Sequence, residues 1–96
     1  MQKTHTLLIT GAASGIGAGI ASQLAEAGRH VIVSDLNLEA AEAVAAQIRA
    51  EGGSAEAVAL DVTSQDSIDA ALAAISRPID VLVNNAGLTR DNLFMR

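Results

Sequence analysis

Short apolar runs alternate along this chain with longer stretches in which apolar residues recur every three or four positions. Leu7-Leu8-Ile9, Val31-Ile32-Val33 and Ile79 to Val83 are strand-like, and Ala57 to Leu60 is a weaker run of the same kind. Helical spacing appears at Ile16, Ile20, Leu24 and Ala27 and stops at Gly28, a residue suited to the left-handed position after a helix. It returns at Leu38, Ala41, Ala45 and Ile48, where Asn37 is placed to cap, Glu39 falls in the first turn and Gly52-Gly53 ends the pattern. A third stripe, Ile68, Leu72 and Ile75, follows Thr63 and Asp66, a pair with capping-box spacing, and breaks at Arg77-Pro78. The predicted order is β-α-β-α-β-α-β with a short tail. The strand-like runs do not alternate with polar residues, so the expected class is α/β, a parallel sheet covered by helices.

Composition narrows the picture. Ninety-six residues make a single domain, 1–96, with one core. Half the residues are apolar, yet Phe94 is the only aromatic one, which favours close packing of small helix residues on Val/Ile/Leu strands. The formal net charge of −5 and the lack of any basic run argue against nucleic acid or an anionic membrane as a partner. With no cysteine, disulfides and thiolate metal sites are excluded. The run Leu7 to Ile9 is far too short for a signal peptide or a membrane span, and the expected location is cytoplasmic.

The candidate chemistry lies where strands end. Thr10-Gly11-Ala12-Ala13-Ser14-Gly15-Ile16-Gly17 joins the first strand to the first helix. A helix N-terminus offers unpaired N–H groups and partial positive charge to a phosphate. Gly11 permits a sharp turn, Gly15 a close approach of backbone to a pyrophosphate, and Gly17 a helix lying close to the sheet; the Ser14 hydroxyl is a further donor. A triphosphate P-loop is disfavoured, because it needs Gly-Lys-Ser/Thr and no lysine follows Lys3. By themselves the glycines are also compatible with a plain βα turn.

Asp35 stands just past the second strand, 18 residues after Gly17. There a carboxylate accepts hydrogen bonds from both adenosine ribose hydroxyls and repels a 2′-phosphate, and neither Ser14 nor Leu36 supplies an offsetting charge. NAD is therefore expected over NADP. Asp61-Val62 follows the third strand and Asn84-Asn85-Ala86-Gly87 the fourth, both beside the crevice where open α/β sheets bind ligands.

In order and approximate spacing, these four motifs resemble the short-chain dehydrogenase/reductase family, and the resemblance covers essentially the whole chain. It implies the first half of a Rossmann-type fold, four parallel strands in the order 3-2-1-4. The first two helices would cover one face and the third helix the other. It implies that Asp61 bonds the adenine amino group, that the Val62 amide bonds an adenine nitrogen, and that Asn84 to Gly87 line the inner cofactor wall, with Asn85 locking the central sheet. The expected cofactor-binding set is Gly11, Ser14, Gly15, Ile16, Gly17, Asp35, Leu36, Asp61, Val62, Asn84, Asn85, Ala86 and Gly87. The tail, Leu88 to Arg96, resembles the 3-oxoacyl-(acyl carrier protein) reductase branch, whose members usually use NADP. Upstream the chain is more similar to NAD-linked 3-hydroxybutyrate dehydrogenases.

The family's chemistry uses a Tyr as general acid or base, a Lys four residues later and a Ser, all from beyond the fourth strand. This sequence has no tyrosine, and Lys3 is its only lysine. The expectation is a cofactor-binding half-domain that lacks the catalytic half and is inactive alone. An incomplete record of an intact dehydrogenase, or a self-assembling module without cofactor binding, are the alternatives. His5 and His30 fall at strand starts, away from the crevice, and read as surface or strand-start residues; no Ser-His-Asp arrangement is evident. The fourth strand is expected to leave an open edge that pairs with another copy.

Overall fold

The computed structural model describes residues 5–13, 15–75 and 78–83. Strands β1 (Thr6–Ile9), β2 (His30–Asp35), β3 (Ser54–Ala59) and β4 (Val81–Val83) alternate with helices α1 (Gly15–Glu26), α2 (Leu38–Ala50) and α3 (Gln65–Ala74). The strands pair in parallel in the order β3-β2-β1-β4, the Rossmann-type half expected. β1 and β2 are buried along nearly their whole length, whereas β3 buries only Ala55 and Val58 and β4 is largely exposed.

The two faces of the sheet make two cores. Ile9, Val31, Val33 and Ala55 pack under Ala21 and Ala25 of α1 and Ala41, Ala45 and Ile48 of α2. Leu8, Ile32, Val58 and Leu60 pack under Ala71 of α3, with Ile68 and Ile75 alongside. Ile9, Val31, Ile32, Val33 and Ile48 are essentially removed from water, each contributing roughly 1.5–3 kcal/mol by burial.

Several expectations shift by a few residues. The buried stripe of α1 is Gly17, Ala21 and Ala25, one position on from the large-residue stripe; Ile16 is 75% exposed, and Ile20 and Leu24 only flank the core. Small residues let the helix approach the sheet closely, and that contact decides its rotation. β3 starts three residues earlier than its apolar run, because pairing begins at His30↔Ser54 and the ladder tolerates polar side chains on an edge strand. The N-cap of α3 is Ser64, whose Oγ accepts from Ser67 N–H at 3.2 Å. Thr63 is no cap, because its hydroxyl is bound to Asp61 instead. Leu72, assigned to the apolar stripe of α3, is 49% exposed, and the helix ends at Ala74, before Pro78.

The ends of α1 and α2 were legible. Asn37 caps α2 by accepting from Ala40 N–H. Gly28 (φ 89°) closes α1, and Gly52 (φ 93°) with Gly53 closes α2. Gly52 N–H donates to Arg49 O and Gly53 N–H to Ile48 O, the paired bonds of a Schellman turn. Gly53 has no room for a side chain: a Cβ there would lie 2.7 Å from Ile48 Cγ2 and 3.2 Å from Ala25 Cβ. Gly53→Ala is expected to cost about 1–3 kcal/mol as overpacking, read as a fall in urea midpoint at unchanged m-value.

Candidate functional site

The glycine turn is pinned at three points before α1 begins. Thr10 N–H donates to Val83 O and Ala12 N–H to Ser34 O, both at 3.0 Å, which fastens the turn to β4 and β2. Ala13 N–H donates to Asp35 Oδ2 at 3.1 Å. Gly11, at φ 64°, supplies the left-handed residue that lets so short a turn reverse direction. Gly17 is buried against the sheet. Gly15 opens α1, and a Cβ placed on it would have no tertiary contact within 4 Å among the described residues, so they leave the space above that backbone open. Ser14 lies outside the described residues.

The start of α1 differs from its neighbours. α2 has Glu39 and α3 has Asp66 in the first turn, whereas α1 has no acidic residue there. The partial positive charge of its N-terminus is not offset within the helix and is available to an external anion.

Asp35 ends β2, half-buried. Its carboxylate does more than the sequence suggested: Oδ2 takes the Ala13 amide and Oδ1 the Asn37 amide, at 3.1 and 3.2 Å. One side chain thereby joins the glycine turn, β2 and the start of α2. Ala13 and Asn37 were missed as partners because they act through backbone N–H groups, which carry no residue-type signal. Leu36 beside Asp35 is 74% exposed and Val62 43% exposed, leaving apolar surface next to both acids.

Asp61 follows Leu60, whose N–H donates to Asp35 O and so brings the two strand ends together. Asp61 Oδ1 accepts from Thr63 Oγ1–H at 2.6 Å and from Thr63 N–H at 2.9 Å. These two bonds, the hydroxyl's first, hold the Asp61 carboxyl below its ordinary value of 3.8. The Asp61 N–H is already committed to Ser67 Oγ. Gly11, Gly15, Asp35 and Asp61 thus share the carboxyl end of the sheet, as expected. Asn84, Asn85, Ala86 and Gly87 lie outside the described residues.

Over residues 5–96 the sequence matches the family described as short chain dehydrogenase. The chain belongs to that family. A 3-oxoacyl-(acyl-carrier-protein) reductase of Staphylococcus aureus is 45% identical over 100 residues, covering all of this chain and 41% of the reductase. A sorbitol dehydrogenase of Cereibacter sphaeroides is 50% identical over 86 residues, 86% of this chain and 32% of that protein. Among solved structures, a gluconate 5-dehydrogenase from Burkholderia cenocepacia in complex with NADP and tartrate superposes with a TM-score of 0.81 at 39% identity. That match covers 90% of this chain and 35% of the dehydrogenase chain. The 96 residues therefore span well under half the length of the relatives they match. No helix among the described residues is long and apolar enough to cross a membrane. Among the same residues no group of three or more His, Cys, Asp or Glu could hold a metal ion.

The Thr63 bonds give Asp61 a testable titration. A carboxyl lowered in the folded chain stabilises it above the ordinary carboxyl value, and that contribution is lost as pH falls through the lowered one. Thr63→Val removes the Oγ1 bond and keeps the N–H. The Asp61 carboxyl carbon, followed by NMR against pH, is expected to titrate at higher pH than in the unsubstituted chain.

Proposed function

We propose that this chain binds NAD(H), in preference to NADP(H), as the dinucleotide-binding part of a short-chain dehydrogenase that interconverts secondary alcohols and ketones. The observation that carries this reading is the Asp35 carboxylate at the end of β2, hydrogen-bonded to the glycine turn through Ala13 N–H. Two amide bonds leave a carboxylate with lone pairs for the vicinal ribose hydroxyls. A 2′-phosphate at that position would meet its negative charge. The described arginines lie elsewhere: Arg49 donates to Ala55 O, and Arg29 precedes β2 at the far end of the sheet. The NADP in the gluconate dehydrogenase complex belongs to that protein, and Asp35 is the reason for reading this chain differently.

The residues present fit the dinucleotide. The α1 N-terminus and the open space above Gly15 would receive the pyrophosphate, with Ser14 as a further donor. Asp35 would hold the adenosine ribose, and Asp61 with Val62 the adenine. The exposed apolar side chains of Ile16 and Leu36 would flank the nucleotide, and Asn84 to Gly87 its inner wall. When bound, the nicotinamide ring supplies the hydride donor or acceptor. These 96 residues contain no tyrosine to serve as the family's proton donor. The role proposed for these residues is accordingly cofactor binding.

A second reading concerns assembly. β4 exposes Val81 (47%) and Leu82 (61%), and Leu82 with Leu8, Ile68, Leu72 and Ile79 lines an apolar groove of about 310 Å³ beside α3. Among the described residues β4 pairs with β1 alone, and its exposed apolar side chains favour pairing with a second copy of the chain. Sedimentation velocity is expected to show a concentration-dependent dimer that Leu82→Lys dissociates; a monodisperse monomer at all concentrations refutes this.

Titration with NADH tests the main reading, with NADPH in parallel. The chain has no Trp or Tyr, so the nucleotide fluorescence is read almost without background. Saturable enhancement, stronger with NADH, is expected. Asp35→Ser should lower the preference for NADH over NADPH by about 10- to 150-fold, the worth of a charge-assisted hydrogen bond, while loss of the Ala13 amide bond weakens both nucleotides alike. Gly15→Ala should leave the melting temperature intact, since among the described residues a Cβ there has no tertiary contact within 4 Å, while weakening both nucleotides. No response at millimolar nucleotide from the folded chain overturns the proposal.

A further inference from the structure

At the end of the sheet away from the glycine turn, three side chains form a hydrogen-bonded row that the cofactor reading does not use. His30 begins β2, and its partner in register is Ser54, the first residue of β3. Glu56 lies two residues further along β3, so it projects from the same face as Ser54. The His30 side chain is 8% exposed, that of Glu56 28%, and Ser54 is open to solvent. Ser54 Oγ lies 2.5 Å from His30 Nδ1, and Glu56 Oε2 lies 2.8 Å from His30 Nε2. The strand between Ser54 and Ala59 sets this row roughly 16 Å from the crevice end of the sheet.

The partners dictate the tautomer. A carboxylate only accepts, so in the neutral tautomer the ring proton sits on Nε2, which donates to Glu56 Oε2. Nδ1 is then the lone-pair nitrogen, and it faces the Ser54 hydroxyl. A hydroxyl aimed at a base, with the base oriented by a third group, is the arrangement that activates serine nucleophiles. Three further facts favour reaction at Ser54: the ring is buried and held at both nitrogens, the hydroxyl is exposed, and Glu56 is placed to stabilise the imidazolium that forms.

We propose that Ser54 is an activated nucleophile, with His30 as its base and Glu56 as the positioning residue, and that it takes acyl or phosphoryl groups from activated donors. With diisopropyl fluorophosphate, Ser54 Oγ bonds to phosphorus, the P–F bond breaks, and fluoride leaves with its electron pair. The hydroxyl proton passes to His30 Nδ1 and then to water. The product is a phosphoryl ester on Ser54. A cross-strand clip that merely pinned β3 to β2 would use the same two hydrogen bonds but leave Ser54 no more reactive than Ser22 or Ser64.

The 96-residue chain is treated with diisopropyl fluorophosphate near neutral pH, and adducts are located by intact mass and peptide mapping. A single adduct on Ser54 is expected, forming about 100-fold faster than on any other serine, the lower end of what a positioned base contributes. Ser54→Ala abolishes it, His30→Gln removes the rate advantage, and Glu56→Gln slows it. His30→Gln disturbs a buried ring, so circular dichroism accompanies it, and Glu56→Gln, at a more exposed position, decides the matter if that variant unfolds. Failure of Ser54 to label, labelling spread evenly over the serines, or a Ser54 rate unchanged in the folded variants overturns the proposal.

Discussion

β1 and β2 are buried on both faces, and the rest of the molecule follows from that constraint. Two strands with no route to water must satisfy every backbone group in the ladder and every side chain against helices. The parallel pairing that results sends both strands toward the same end. Their carboxyl termini, with those of β3 and β4, therefore converge on one rim, and each successive strand ends in a turn there. A site built from Gly11, Asp35 and Asp61 needs no special loop to gather it, because the sheet does so.

Within that rim the Asp35 carboxylate is the joint. It takes one amide from the glycine turn and one from the start of α2, while Leu60 N–H reaches the Asp35 carbonyl from the β3 side. The residue proposed to meet the ribose is also part of the scaffold that shapes the glycine turn. Charge and geometry at this position cannot be varied separately, which distinguishes it from the exposed apolar neighbours Ile16, Leu36 and Val62. None of those three side chains takes part in the hydrogen bonds described for the turn.

The far end of the sheet obeys the same register with different side chains. His30 sits where β2 is already buried, so its ring nitrogens had to find partners, and edge strand β3 supplies both from one face. On β1, Thr6 N–H donates to Asp80 Oδ2 and Asp80 N–H to Thr6 O, a reciprocal pair that seats β4 before its short ladder begins. Polar residues at strand starts thus align strands that the apolar runs alone would leave free to slide.

Element order, the parallel sheet, the caps at Asn37 and Gly28, and the grouping of glycine turn, Asp35 and Asp61 were legible because each rests on residue type at fixed local spacing. Apolar runs, capping oxygens and glycines act on their own neighbourhood, and a βαβ repeat then leaves few topologies open. Other features were decided only in three dimensions. The rotation of α1 depends on which residues let it approach the sheet, so Gly17, Ala21 and Ala25 face inward rather than the larger Ile16. The cap of α3 passed from Thr63 to Ser64 because Asp61 competes for the Thr63 hydroxyl. The second role of Asp35 and the Ser54–His30–Glu56 row both require partners from different strands. Local pattern specifies what a segment can form, but hydrogen bonds between segments distant in sequence exist only once packing has fixed the register that brings them within reach.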